Sequence, residues 1–408
     1  MRKSTLRAAL AIALVSPSAG AQSLTFTESE ALAQISPNSP QIRAIRAEVD
    51  VARVDVLAAA RWPNPRSTVT RESVAGVTEY LATVSQPLPI TGLRGLEVEA
   101  ASARVSASAG RVDDAIRRVK ADLRVAFAGL VAAQVKEREL TTAVDRLRLL
   151  TEVLSTREAA GAAAGFDRIR AEQELLDLEM DGVVAATDRA RYQAVVSSFF
   201  DGQLDASRIV AVDRAPAPAP VPPLPALLEM AESSRGGLVA LTHEIDAAGF
   251  AARAAGRRLV PVPEIVAGTK SSSVGGGGVG TVVSVHVSLP FFDRARPERA
   301  LAAAREAQAR ARRDALRLAL RGQIAALRVT VVQRRAAAAR YRAEGVTGAD
   351  EVERIAQISY DAGERSILEL LDAYRLGSLA RLRLVGLDAA VRQAEIELEY
   401  VSGWEKAR

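Results

Sequence analysis

The 408-residue chain is poor in the residues that build disulfides, metal cages and compact aromatic cores. It has no cysteine, only two histidines and 4% aromatic residues. Disulfides and an N-terminal lipid-modified cysteine are therefore excluded, and neither histidine has a suitably spaced second ligand for a metal site. Alanine, leucine, valine and arginine dominate instead, which is typical of long helices packed closely along their length.

Motifs of active sites are lacking too. The chain has no G-x-S-x-G, no H-E-x-x-H and no isolated pair of acids in a cleft-forming context. The G-x-G-x-x-G spacing of residues 275–280 lacks the lysine of a phosphate-binding loop, because Thr281 stands there and a strand pattern follows. We therefore expect a flexible hairpin tip at this stretch, and we predict no enzyme, no catalytic residue, no metal site and no cofactor.

Long apolar runs are confined to the N-terminus. Residues 1–21 combine basic Arg2, Lys3 and Arg7 with an apolar stretch and an Ala-Gly-Ala cleavage site, which predicts a signal peptide. No later segment has the length and apolar content of a transmembrane helix, so a membrane crossing would require β-strands. Loss of three basic residues would lower the net charge from +5 to +2, and we expect an exported protein that does not bind nucleic acid.

The same order of elements occurs twice in the chain. Three pairs of landmarks keep a separation of 201 to 203 residues: Pro87 with Pro290, Gly161 with Gly363, and Gly202 with Gly403. So steady an offset indicates an internal repeat of helix, strand, strand, long helix, turn and helix. The predicted division is a first repeat over 22–203, a Pro/Ala-rich linker over 204–223, a second repeat over 224–403 and a C-terminal tail over 404–408.

Each repeat carries a pair of short strand-like segments, within residues 66–88 and 264–289. From Val279 to Leu289 branched apolar residues alternate with mostly small or polar ones, the pattern of a strand with one lipid-facing side. Each segment has about the ~9–11 residues that a tilted strand needs to cross an outer membrane. Upstream of the second pair, a single helix is expected over 224–258.

The longest helical pattern runs without proline from Leu93 to about Ala160, and a second one covers 294–360. Steps of three and four residues define a coiled-coil seam. At ~1.5 Å per residue the first helix would be roughly 100 Å long. Its seam contains Ile116, Val119, Leu123, Ala126, Leu130, Ala133, Leu140, Val144, Leu147 and Leu154.

Glycine-containing turns end both long helices, and acids follow them. Glu369 and Asp372 lie three residues apart and so share one face of a helix, while Asp167 opens the equivalent helix of the first repeat. From the residues alone, these acids suit either a solvated helical surface or a functional site.

The ordered set of elements resembles the TolC-type outer-membrane efflux channels, the outer-membrane factors of tripartite efflux pumps. The likeness covers nearly the whole predicted mature chain and rests on the segments VSQPLPITGLRG, VSLPFFDRARPERALAAA and above all YDAGERSILELLDAYR. The short strands and the LPFFDRARPE and TGLRG segments look more like the branch associated with heavy-metal cation efflux than like general drug channels.

The resemblance implies a mainly α-helical fold with a small β part, in which duplicated coiled-coil hairpins form a periplasmic α-barrel. Four transmembrane strands per protomer would join in a homotrimer to close one twelve-stranded β-barrel in the outer membrane of a Gram-negative bacterium. The implied function is the exit duct of a tripartite efflux or type I secretion system, with a periplasmic adaptor and an inner-membrane pump as partners. The residues leave one alternative, a non-channel periplasmic coiled-coil adaptor or scaffold.

The resemblance also implies functional residues at the two turns. The residues that match positions holding or lining a closed periplasmic entrance are Asp167, Tyr360, Arg365, Glu369 and Asp372. The residues expected at the adaptor-contacting tips are Gly161, Gly165, Gly363 and Ser366. Three copies of Glu369 and Asp372 would form acidic rings that select or bind cations. Because the first turn lacks counterparts of Arg365 and Ser366, the two tips are expected to differ.

Overall fold

The computed structural model describes residues 23–161, 165–200, 204–214 and 219–404. The predicted signal peptide, Gly202, part of the predicted linker and the last four residues of the tail lie outside the described residues.

The first repeat begins with two capped helices. The Thr27 hydroxyl accepts from the Glu30 backbone N–H, the Glu30 carboxylate accepts from the Thr27 N–H at 2.8 Å, and Ser39 caps the next helix before Pro40. A Thr-x-x-Glu spacing and a serine before proline are both sequence patterns of helix starts. The elements are β1 (Leu24–Phe26), α1 (Glu28–Ala33), α2 (Pro40–Ala60), β2 (Arg66–Val74), β3 (Val77–Pro87), α3 (Leu93–Ala159) and α4 (Gly165–Ser197).

The second repeat follows the same order. Its elements are β4 (Ile209–Ala211) in the connecting segment, α5 (Leu224–Ser234), α6 (Gly236–Arg257), β5 (Pro263–Ser272), β6 (Gly278–Val287), α7 (Arg296–Arg340), a π-helical turn (Tyr341–Val346), α8 (Thr347–Asp361) and α9 (Ile367–Ser402). From α3 to α7 and from α4 to α9 the starting residues differ by 203 and 202. The offset seen in the sequence is thus an offset of structure.

Two stretches differ from the sequence predictions. The connecting segment contains β4, which pairs in parallel with β1 and places Ile209 in a fully buried position. The helix expected over 224–258 is interrupted at Arg235. Immediately after the break, α6 approaches α3 so closely that a β-carbon on Gly236 would collide with the Gly110 carbonyl. The break therefore sets the angle at which α6 packs, a long-range requirement that local sequence does not reveal.

The four longer strands form one antiparallel sheet in the order β2-β3-β5-β6. Ala75 and Gly76 both have positive φ and form the two-residue turn of the first hairpin, and residues 274–277 form the tip of the second. Because residues opposite each other share a face, one face is chiefly apolar: Val69, Ala82, Val84, Ile265, Ala267, Val283 and Val285. The other face is polar and contains the ion pairs Glu79–Lys270 at 2.7 Å and Arg66–Glu264 at 2.9 Å.

The helices form a slab that continues from the sheet. Next to the sheet, α2, α3, α6 and α7 lie side by side in this order, and at the far end α4, α3, α9 and α8 do so. In the predicted seam of α3, Ile116 and Val144 are half-buried and the other members are buried. In the part of the chain that the structure covers, no helix unites the length and hydropathy required to cross a membrane.

The π-helical turn interrupts the second long helical run, which the sequence predicts as continuous. Buried Ile324, Val331 and Ala338 repeat every seven residues, but the next buried position is Ala349, eleven residues further on. A π-helical turn holds one residue more than an α-helical turn, and α8 continues beyond it with Ala349 and Ala356 buried seven residues apart. By contrast, α3 continues without interruption over 67 residues.

Candidate functional site: the two helix-to-helix turns

The first turn joins α3 to α4. Gly161 has a φ of 71° and donates its N–H to the Glu158 carbonyl at 2.8 Å. Arg168 closes the turn, because its Nε donates to Glu158 Oε2 at 2.6 Å and its Nη1 to Glu172 Oε1 at 2.6 Å. A side chain at Gly165 would meet the Glu158 carboxylate, so glycine leaves room for this ion pair.

The second turn joins α8 to α9 and is organised by a capping box. Gly363 has a φ of 74° and donates its N–H to the Tyr360 carbonyl at 3.0 Å. The Ser366 N–H donates to Glu369 Oε2 at 3.0 Å, and Arg365 Nη1 donates to Glu369 Oε1 at 2.7 Å. The Ser366 N–H and the Arg365 guanidinium lower the pKa of the Glu369 carboxyl. Both of its oxygens are therefore used within the turn itself.

A contact between an arginine and a tyrosine joins the two turns. The Arg157 guanidinium on α3 lies over the Tyr360 ring at 5.6 Å and donates to the Tyr360 hydroxyl at 3.3 Å. Below this contact, apolar residues of α3, α4, α8 and α9 form one cluster: Leu147, Leu150, Leu154, Ala171, Ala356, Ile367, Leu370, Leu371 and Ala373. The ends of the two hairpins are thus packed as one unit.

An ion-pair network that the sequence analysis missed lies beyond this apolar cluster, on the side away from the turns. Glu353, which is 9% exposed, pairs with Arg146 of α3 and with Arg381 of α9, the latter at 3.1 Å. Arg381 also pairs with Asp350 at 2.7 Å. Glu353 lies between the buried positions Ala349 and Ala356, and an acid at a seam position was the one signal in the sequence.

The two remaining acids occupy different environments. Asp372 is exposed, although its neighbours Leu371 and Ala373 are buried, so its carboxylate lies on the face of α9 opposite the cluster. Asp167 is half-buried in the first turn of α4. No group of three or more acidic or histidine side chains in the described ranges is arranged to hold a metal ion.

The structure therefore gathers Tyr360, Arg365, Glu369 and Ser366 around one turn and places Asp167 with Gly161 and Gly165 at the other. Tyr360 joins the two turns through Arg157, a residue that the sequence analysis did not select. The roles of these residues at a channel entrance stay predictions.

The fold is that of the outer-membrane efflux channels. The chain superimposes on the Campylobacter jejuni CmeC outer membrane channel with a TM-score of 0.76 and 14% identity, covering 92% of this chain and 85% of that one. A membrane protein of Pseudomonas aeruginosa gives a TM-score of 0.75 and 18% identity, with 92% and 93% covered.

Sequence comparison agrees with the fold. Residues 227–403 match the family model of outer membrane efflux proteins. Over 99% of its length the chain is 24% identical to the whole of the cobalt-zinc-cadmium resistance protein CzcC of Cupriavidus metallidurans. The resemblance to TolC-type channels and the mainly helical fold with a small sheet are thereby confirmed, and the channel is favoured over the adaptor.

Proposed function

We propose that the protein is the exit channel of an efflux system in the outer membrane, and that three copies close its wall. The observation that carries this proposal is that the protomer is a slab with unpartnered sides at every level. Such a slab exposes strand edges and apolar helix faces that a ring of copies would cover.

At the level of the sheet, β2 and β6 are the outer strands, and all nine residues of β2 are exposed. The apolar face is exposed as well, with Val69 at 76% and Val283 at 72%. An isolated four-stranded sheet of this kind cannot satisfy its edges in lipid, whereas three copies would supply twelve strands for a closed barrel. The polar face would then line an aqueous lumen.

At the level of the helices, the outer members carry exposed apolar stripes with heptad spacing. On α4 the stripe consists of Phe166, Ile169, Leu176, Met180 and Val183, and on α2 it includes Val51 and Val54. Stripes of this kind form coiled-coil seams when another helix packs against them. Packing of α2 and α4 against α7 and α8 of the next copy would continue the slab into a helical barrel.

We further propose that the two turns form the periplasmic entrance, held closed by the contact between Arg157 and Tyr360. Since the Glu369 carboxylate is used by the second turn, Asp372 is the acid best placed to form a ring of charge. The tips at Gly161, Gly165, Gly363 and Ser366 would meet a periplasmic adaptor that connects an inner-membrane pump. The likeness to CzcC supports heavy-metal cations as cargo.

The test is single-channel recording of the purified protein in planar bilayers. We expect ion-conducting channels, and we expect Lys270→Glu on the polar strand face to shift the reversal potential in a salt gradient toward cation selectivity. Val283→Ala on the apolar face is the matched control and should leave the reversal potential unchanged. A protein that stays soluble on membrane fractionation and gives no conductance would rule out the channel.

A further inference from the structure

The loop between β6 and α7 presents two phenylalanines away from its own protomer. The exposed fractions of Phe291 and Phe292 are 68% and 101%. The loop around them is held in place: Phe291 N–H donates to the Leu289 carbonyl at 2.9 Å, and Asp293 Oδ1 accepts from the Ala295 N–H at 3.0 Å. A large apolar ring held in water is less favourable than a buried one, which indicates a missing partner.

A cleft of about 260 Å³ lies toward the other side of the protomer. Its apolar wall consists of Ala58, Pro63, Pro89, Leu93 and Val262. The cleft is larger than the ~150 Å³ cavity that admits a benzene ring. At its rim, Arg61 and Arg94 supply positive charge, and the Arg94 guanidinium lies 5.4 Å from the ring of Trp62. The carboxylate of Glu97, which also lines the cleft, pairs with Arg258 at 3.4 Å. The cleft thus offers apolar walls, an aromatic neighbour and a basic edge.

The loop and the cleft lie at the same level of the slab. The loop follows β6, one outer strand, and the cleft surrounds the segment that precedes β2, the other outer strand. Both sit where strands give way to helices. In a ring of copies, β6 of one protomer adjoins β2 of the next, so the loop of the first comes to the cleft of the second.

Charge complements shape at this junction. Asp293 directly follows Phe292, and Arg61 and Arg94 stand at the rim of the cleft. Insertion of the ring would bring the carboxylate toward these guanidinium groups. Inside a bilayer the same Asp293 and the following Arg294 would be unfavourable, so a second copy fits the loop better than acyl chains do.

We propose that Phe292 of each protomer inserts into the cleft formed by Pro63, Pro89 and Leu93 of the next copy, with Asp293 against the arginine rim. This contact locks the ring at the junction of sheet and helices. The proposal rests on the ring closure proposed above.

The absence of cysteine makes a clean cross-linking test possible. In membranes treated with a short bis-maleimide, the double variant Phe292→Cys with Pro63→Cys should yield covalent dimers and trimers, and each single variant should stay monomeric in denaturing gels. The control pair Phe292→Cys with Asp181→Cys should give no cross-link, because Asp181 lies on the exposed surface of α4, far from the sheet.

The mass of the detergent-solubilised protein, measured in parallel, separates the two proposals. A trimer without the cross-link between 292 and 63 would overturn the contact but leave the ring intact, whereas a monomer would overturn the ring itself. Phe292→Ala should raise the concentration at which the trimer dissociates at least tenfold, and Val279→Ala on the apolar strand face should not. If Phe292→Trp fluorescence is quenched by brominated lipid as strongly as that of Val283→Trp, the ring lies in the membrane and the contact is refuted.

Discussion

Glu28 links the start of the chain to both repeats, and its removal should destabilise the junction between them. Its Oε1 accepts from Arg124 Nε of α3 at 2.6 Å, and its Oε2 accepts from Arg392 Nη2 of α9 at 2.5 Å. The side chains of the two arginines are 15% and 18% exposed, and that of Glu28 is 26% exposed. One carboxylate therefore bridges two largely buried cations from opposite halves of the sequence.

The expected magnitude for Glu28→Gln follows from these contacts. A hydrogen bond to a charged group contributes about 1.5–3 kcal/mol net, and an amide can still accept from only one of the two arginines. Each arginine keeps a second carboxylate, since Arg124 pairs with Glu399 and Arg392 with Glu395, so neither becomes an isolated buried charge. We expect a loss of about 2–3 kcal/mol in the free energy of unfolding.

Unfolding entropy of roughly 2.1 cal/mol/K per residue converts this loss into about 3 °C of thermal midpoint for a chain of this length. The fluorescence of Trp404, which is 7% exposed in a core cluster of the second repeat, provides the readout. Glu48→Gln on the exposed surface of α2 is the matched control and should change the midpoint by less than about 1 °C.

The difference in free energy of unfolding between wild type and Glu28→Gln should depend on pH with a defined sign. Burial raises the pKa of Glu28, but the charges and hydrogen bonds of Arg124 and Arg392 outweigh it and lower the pKa below the ordinary 4.5. A carboxyl of lowered pKa contributes stability above its unfolded pKa and loses it as pH falls through the folded value. This difference in stability should thus be constant above about pH 5.5 and should decrease below pH 4.5. A gap that is absent at pH 7, or that is equally large in strong acid, would refute the bridge.

Three further changes test other parts of the structure. In denaturant titrations, Gly236→Ala should lower the free energy of unfolding by about 2 kcal/mol, because the added methyl group would meet the Gly110 carbonyl. Gly249→Ala in the same helix places its methyl group in open space and should raise the free energy of unfolding by up to ~1 kcal/mol. Arg157→Ala should raise the mean single-channel current because it loosens Tyr360, whereas Arg170→Ala on the exposed surface of α4 should not. Equal currents in the two variants would contradict the proposed role of the contact between Arg157 and Tyr360. Asp372→Asn should weaken the block of the channel current by multivalent cations at least several-fold, whereas Asp177→Asn should leave this block unchanged. Undiminished block in Asp372→Asn would exclude the ring of charge.

Sequence patterns located the long helices and strands because their determinants are local. The prolines that end β3 and follow β6 and the glycines that end α3 and α8 act within a few residues of the chain. The heptad seam of α3 depends only on spacing. The seam accounts for eight of the eighteen buried positions of that helix, and the others depend on which neighbours pack against it.

The features that the sequence did not reveal depend on distant partners. The pairing of β1 with β4 involves three residues on each strand, too few for a periodic pattern. The break at Arg235 serves the close approach of Gly236 to Gly110. At the turns, the glycines and the Ser366 cap are local signals, but the contacts of Arg157 and Glu353 form only once α3, α9 and α8 have packed together.

The π-helical turn influences how α8, which follows it, is rotated about the helix axis. Successive residues of an α-helix are rotated by roughly 100° about its axis. Because the wide turn accommodates one residue more than a regular turn, excision of one residue between Tyr341 and Val346 should restore an unbroken α-helix and leave α8 in its present register. Excision of one residue from the regular part of α7 is not compensated in this way and would swing α8 by about that angle. Glu353 would then turn away from Arg146, and Tyr360 away from Arg157. The direction in which the second turn faces is thus set by the number of residues that precede it in this helical run.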